Sequence, residues 1–140
     1  LESILEGFMT RYEYTGEWNW NNFSKKEVAC KCGCDELWNT QLYGSNMPHW
    51  YKESMDNLQK LRDVWGKAMI INSGHRCPKH NKNVGGVSGS MHQKIAFDVR
   101  IPKEEQARFK KLARECGFRG IGTYDTFIHI DMGKERSWNG

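Results

Sequence analysis

Apolar positions along the chain fall into short patterns separated by turn residues. Ile4, Leu5, Phe8 and Met9 recur at helical spacing, which predicts a short amphipathic helix in the first twelve residues. The stretch from Tyr14 to Asn22 mixes turn formers with Trp18 and Trp20 and reads as a loop with aromatic anchors. In Phe23-Ser24-Lys25-Lys26-Glu27-Val28, Ser24 is placed as an N-cap with Glu27 reaching back, and Phe23 and Val28 form a hydrophobic staple, so a helix of one or two turns starts there. Met55, Leu58, Leu61, Val64 and Trp65 follow helical spacing up to a stop at Gly66. Ala68-Met69-Ile70-Ile71-Asn72 predicts a buried strand, and residues 94–101 predict a second one ending at Pro102. Pro102 opens a further helix running to Cys116, with Ala107, Leu112, Ala113 and Cys116 inside and Lys103, Glu104, Arg108, Lys110, Lys111 and Arg114 in water. Residues 120–123 and 126–131 complete the pattern as a strand pair. Helices and strands in this order predict an α+β fold, a small antiparallel sheet flanked by helices and holding the site.

Length and composition narrow the picture. At 140 residues the chain suits a single domain, with residues 1–22 as N-terminal helix and aromatic loop and residues 23–133 as its core. No run approaches the roughly 20 apolar residues of a membrane span, and Leu1 to Glu6 lack the pattern of a signal peptide, so a soluble monomer without membrane insertion is expected. The 21 basic and 17 acidic residues leave a charge of +4 spread without a block, which keeps a domain soluble or draws it to an anionic polymer. No Lys/Arg stripe with interleaved aromatics appears, and no nucleic-acid partner is expected. Of the 5 cysteines, Cys30, Cys32 and Cys34 alternate, which on an extended strand puts all three on one face. With Cys77 they are open to three readings: reduced thiols, a disulfide, or a structural metal site without the usual zinc-knuckle spacing. Cys116, late in its helix, reads as a core thiol.

The candidate chemistry lies in the second half. In the strand at 126–131, period two puts Phe127, His129 and Asp131 on one face and Ile128 and Ile130 on the other, so His129 and Asp131 share a cleft while the isoleucines enter the core. Three separated stretches accompany it: Ser73-Gly74-His75-Arg76-Cys77-Pro78-Lys79-His80-Asn81 followed by Val84-Gly85-Gly86; Ser90-Met91-His92 through Ala96-Phe97-Asp98; and Gly120-Ile121-Gly122-Thr123-Tyr124 through Phe127-Ile128-His129-Ile130-Asp131. In type and order they resemble the zinc peptidases of the D-alanyl-D-alanine carboxypeptidase clan, peptidase family M15, whose metal-binding domain is shared with the Hedgehog signalling domain. The likeness also takes in the Phe23-Ser24 segment, the alternating cysteines and the helix from Leu58 to Trp65, and so spans residues 23–133.

The resemblance implies a Hedgehog/DD-peptidase-like fold and a Zn2+ ion held by His92, Asp98 and His129. Two imidazoles and a carboxylate leave a fourth position for a water, whose pKa zinc lowers to about 7. Arg76 corresponds to the arginine that meets a substrate carboxylate or carbonyl, a task suited to its planar, permanently charged fork. Ser90 either orients a substrate amide or ties down its loop, and His75 and His80 add proton carriers or transition-state donors. Thr126 stands where many relatives carry an acid, so the general base falls to Asp131, on the same face as His129, or to Asp125 just before the strand. Asp131 alternatively supports a ligand imidazole from behind. Two other positions depart from the pattern: His75 replaces the usual Tyr, and Asp98 follows His92 by six residues where seven is usual. The implied substrate is the stem peptide of peptidoglycan at the bacterial cell wall, cut between D-alanines or between L-alanine and D-glutamate, by a phage endolysin, a virion-attached lysin or a bacterial wall-remodelling enzyme. The other reading is a catalytically silent zinc-binding module of the same fold, acting in binding or virion structure.

Overall fold

The computed structural model describes residues 14–140, and the helix expected in the first twelve residues lies outside them. The aromatic loop is anchored as expected: Trp20 is buried and donates its indole N–H to Asp56 at 2.9 Å, with Trp18 edge-on against it. Helix α1 (Lys25–Val28) starts at a complete capping box, the Ser24 hydroxyl accepting from the Glu27 N–H and the Glu27 carboxylate accepting from the Ser24 N–H, with Phe23 and Val28 both buried. The alternating cysteines do not continue as a strand. Residues 31–34 form turns, with Gly33 at φ +97° and Asp35 at φ +59°, and the Cys30 N–H closes the reversal on the Glu36 carbonyl at 2.8 Å.

After the short α2 (Thr40–Tyr43), the long α3 (His49–Trp65) buries Tyr51, Ser54, Met55, Leu58, Leu61 and Trp65 and ends on Gly66 in the left-handed conformation. The stripe starts earlier than the sequence suggested, and Val64 falls off it, 51% exposed. Strand β1 (Ile71–Ser73) sits further along than expected, because Ile70 faces solvent. Then come α4 (Pro78–Asn83), a 3-10 turn (Met91–Gln93) and β2 (Phe97–Arg100). The strand expected from Lys94 starts only at Phe97, because Lys94 caps the preceding turn. A second 3-10 turn (Lys103–Glu105) delays α5 (Gln106–Glu115), whose buried residues are Gln106, Phe109 and Ala113. Ala107, expected inside, is exposed one position off that face, while Leu112 and Cys116 pack against the core half-buried. Among the described residues no helix is long and apolar enough to cross a membrane.

Strands β3 (Gly120–Thr123), β4 (Phe127–Asp131) and β5 (Arg136–Asn139) complete a five-stranded sheet in the order β1-β2-β4-β3-β5. The expected antiparallel sheet is mixed. After β4 the chain pairs β5 with the far edge of β3 in parallel, Gly120 opposite Arg136 and Thr123 opposite Asn139. On one face Phe97, Val99, Ile121, Ile128 and Ile130 join the core cluster with Leu58, Leu61 and Phe109. Each such side chain contributes roughly 1.5–3 kcal/mol by leaving water. The opposite face carries the polar side chains of the site, because β2 and β4 alternate in step.

Candidate functional site

The sheet register builds the site. Asp98 on β2 lies directly opposite His129 on β4, so their side chains leave the same face side by side. His92 arrives from the 3-10 turn, capped by the Ser90 hydroxyl, which accepts the His92 N–H at 3.2 Å. The six-residue interval is long enough: His92 Nε2 and His129 Nδ1 both stand 3.1 Å from Asp98 Oδ1. All three donors are buried, and their ligand atoms lie within 4.8 Å of one another. Zinc bonds of about 2.0–2.1 Å in tetrahedral geometry put neighbouring donor atoms about 3.3 Å apart, so these separations fit such an ion.

The tautomers fit as well. His92 donates from Nδ1 to the Gly74 carbonyl at 2.7 Å, and His129 donates from Nε2 to Asp131 Oδ2 at 2.6 Å. With those donors placed, the nitrogen of each ring that faces Asp98 is the one left to give up its proton and bind a metal. Burial acts to raise the Asp98 pKa, but hydrogen bonds with His129 and His92 hold it well below the usual carboxylate range. For His129, burial alone lowers the pKa; the bonds to Asp131 and Asp98 outweigh it and raise it. Asp131 is fully buried, and burial is again outweighed: His129, Arg136 and the Gly133 N–H hold its pKa low, with Arg136 forking onto both oxygens at 2.9 and 2.8 Å.

Two glycines make room for this support. Gly120 and Gly122 lie opposite Asp131 and His129 on β3, where a Cβ would collide with the Asp131 carboxylate and the Trp138 ring respectively. Trp138, from β5, packs 5.1 Å from the His129 ring, lies under the Arg136 guanidinium at 5.0 Å and donates its indole N–H to the Tyr124 hydroxyl at 2.9 Å. The donor trio opens on a cleft of about 570 Å³ lined also by Arg76, Gly85 to Val87, Ser90, Tyr124, Phe127, Arg136 and Trp138.

A family model described as Peptidase M15 matches residues 20–131. The chain belongs to the Peptidase M15 family. No curated protein matches it.

Within this M15 chain, the residues expected at the site separate into two groups. His92, Asp98, His129, Arg76 and Ser90 come together at the cleft. Arg76 is held by Ser73 Oγ at 3.4 Å and Asn81 Oδ1 at 3.1 Å, and its Nη2 stands 3.7 Å from Asp98, close enough for attraction but free to bond a ligand oxygen. Its neighbour His75 is not at the cleft. It is completely buried and bridges Glu36 Oε1 at 3.0 Å and the Lys94 carbonyl at 2.9 Å, which corrects the expectation of a proton carrier or transition-state donor facing substrate. Asp125 is also absent from the cleft, pairing with Lys103 in solvent with 89% of its side chain exposed. Asp131 is near but turned away, both oxygens engaged behind His129. Arg136 and Trp138 were not foreseen, and Tyr124 entered only as part of the third stretch, with no role. The Gly120-Ile121-Gly122 motif is the one signal that pointed to them, since its glycines mark the space that Asp131 and Trp138 fill.

Proposed function

We propose that this chain is a zinc peptidase of Hedgehog/DD-peptidase-like fold that hydrolyses a peptide bond in the stem peptide of peptidoglycan at the bacterial cell wall, acting as a monomer. The observation that carries the reading is the convergence of His92 Nε2, Asp98 Oδ1 and His129 Nδ1 on one point beside an open cleft. When bound there, zinc supplies a Lewis acid and acidifies water to a pKa of about 7. The chain's own residues do the rest. Arg76 presents Nη2 to a substrate carboxylate or carbonyl oxygen, with its other nitrogens tied to Ser73 and Asn81 so that little freedom is lost on binding. Tyr124, aligned by the Trp138 indole, offers a hydroxyl proton to a developing oxyanion. Asp131 acts through His129, fixing its tautomer and ring plane and raising its basicity as a ligand. Stem peptides are anionic, and Arg76 and Arg136 give the cleft a complementary sign.

A specific observation favours a second reading, the catalytically silent zinc module. Among the described residues, Asp98 is the only carboxylate lining the cleft, so no spare acid is at hand to take a proton. Mass spectrometry of purified peptidoglycan incubated with the protein, with and without chelator, separates the two. New peptide termini that vanish on chelation support the peptidase, and their position names the bond. No new termini at full zinc load leaves the silent module standing.

A further inference from the structure

Outside the cleft, four of the five cysteines converge. Cys30, Cys32 and Cys34 come from the turn after α1 and Cys77 from the cap of α4, and their sulfurs all lie within 4.8 Å of one another. Cys30 and Cys32 are 3.5 Å apart and Cys32 and Cys77 are 3.8 Å apart. A disulfide needs about 2.05 Å, whereas four sulfurs at about 2.3 Å from a tetrahedral zinc are about 3.8 Å from each other. We propose that Cys30, Cys32, Cys34 and Cys77 hold a second, structural zinc ion.

The surrounding backbone is arranged for thiolate charge. The Cys77 N–H donates to Cys30 Sγ at 3.3 Å and the His80 N–H to Cys77 Sγ at 3.4 Å. The Cys30 and Cys77 sulfurs thus each have a peptide donor. Charge-assisted bonds of this kind stabilise a bound thiolate and leave a neutral thiol little changed. Gly33, at φ +97°, lets the chain turn between Cys32 and Cys34 so that both face one point. The ion joins two segments distant in sequence. Around it the His75 N–H donates to the Val28 carbonyl at 2.9 Å and the His75 ring meets Glu36, so both neighbours of Arg76 are fastened to the α1 turn. The zinc therefore locks the loop that presents Arg76 to the cleft, without touching the cleft itself.

The test is metal stoichiometry and cobalt spectroscopy on the full chain purified under reducing conditions. Wild type is expected to carry about two zinc ions and, after cobalt exchange, to show a thiolate-to-cobalt charge-transfer band with tetrahedral d–d bands. His129→Ala should drop to about one ion and keep the band; Cys32→Ser should lose the band and keep the other ion; Cys116→Ser should change neither. If the serine variant does not fold, wild type alone decides by alkylation: four cysteines protected from N-ethylmaleimide until chelator is added support the site. Ready alkylation of those four cysteines in the native zinc-loaded protein, a missing thiolate band, or a disulfide among the four overturns it. Because no readout is hydrolysis, failure here and failure of the peptidase reading are distinguishable.

Discussion

The two donor clusters of this molecule rest on different kinds of backbone. Asp98 and His129 stand on paired strands, where the pleat and the register aim both side chains before any ion arrives. Hydrogen bonds to Gly74 and Asp131 then orient the histidine rings. The sulfur cluster has no ladder under it. Its members sit on a tight turn and a helix cap, held by N–H to sulfur contacts of 3.3 and 3.4 Å. A site on a sheet is preorganised, whereas one on turns gains much of its order from its ligand. An ion that must exchange water for substrate suits the first, and an ion that staples loops suits the second.

His129→Ala is the strongest way to break that comparison. It removes one of the three proposed ligands and the partner of both Asp98 and Asp131, so hydrolysis should fall to background. The thiolate band should be untouched, and its loss in this variant would mean that the two clusters are not independent. Asp131→Asn comes next. The amide keeps the shape but gives up the charge facing His129 and Arg136, and a drop of about 10–100-fold in zinc affinity or activity is expected, measured by chelator competition and by turnover. Unchanged affinity would show that the strands alone orient the ligands.

The same contrast explains what could be read from the sequence. Strand alternation announced Ile128 and Ile130 as core and His129 with Asp131 as site, because period two leaves no other choice once one face is apolar. The capping box at Ser24 and Glu27 was equally plain, being a local arrangement of adjacent residues. β5 was not. Arg136, Ser137, Trp138 and Asn139 have no apolar alternation, and their order comes from pairing with β3, which is visible only in three dimensions. His75 and Asp125 exchanged their expected surroundings for the same reason. A motif says which residues are near one another along the chain, but the packing against Glu36 and Lys94 that buries His75 depends on segments 39 and 19 residues away.

Arg76→Lys sharpens the comparison at the point where the clusters meet, since this residue faces one and is braced by the other. Lysine keeps the charge and loses the fork and the Asn81 contact, so the expected cost is one charge-assisted hydrogen bond, about tenfold in kcat/KM and mostly in KM. A full rescue by lysine in steady-state kinetics would show that only charge matters there.

The smallest expected effect tests how far the sheet-borne cluster extends. Trp138→Phe retains a ring beside His129 and beneath Arg136 but removes the indole N–H that the Tyr124 hydroxyl accepts at 2.9 Å. The loss of one neutral hydrogen bond is worth about 1 kcal/mol, or roughly fivefold in kcat/KM, with zinc content unchanged. Tyr124→Phe removes the hydroxyl itself, and if Trp138 acts by aligning that group the double variant should be no worse than Tyr124→Phe alone. Additive losses would instead make Trp138 a wall of the cleft, independent of Tyr124. Gly122→Ala provides the structural counterpart, because its methyl group would displace the Trp138 ring from the strand side and should reproduce the Trp138→Phe loss without deleting any donor.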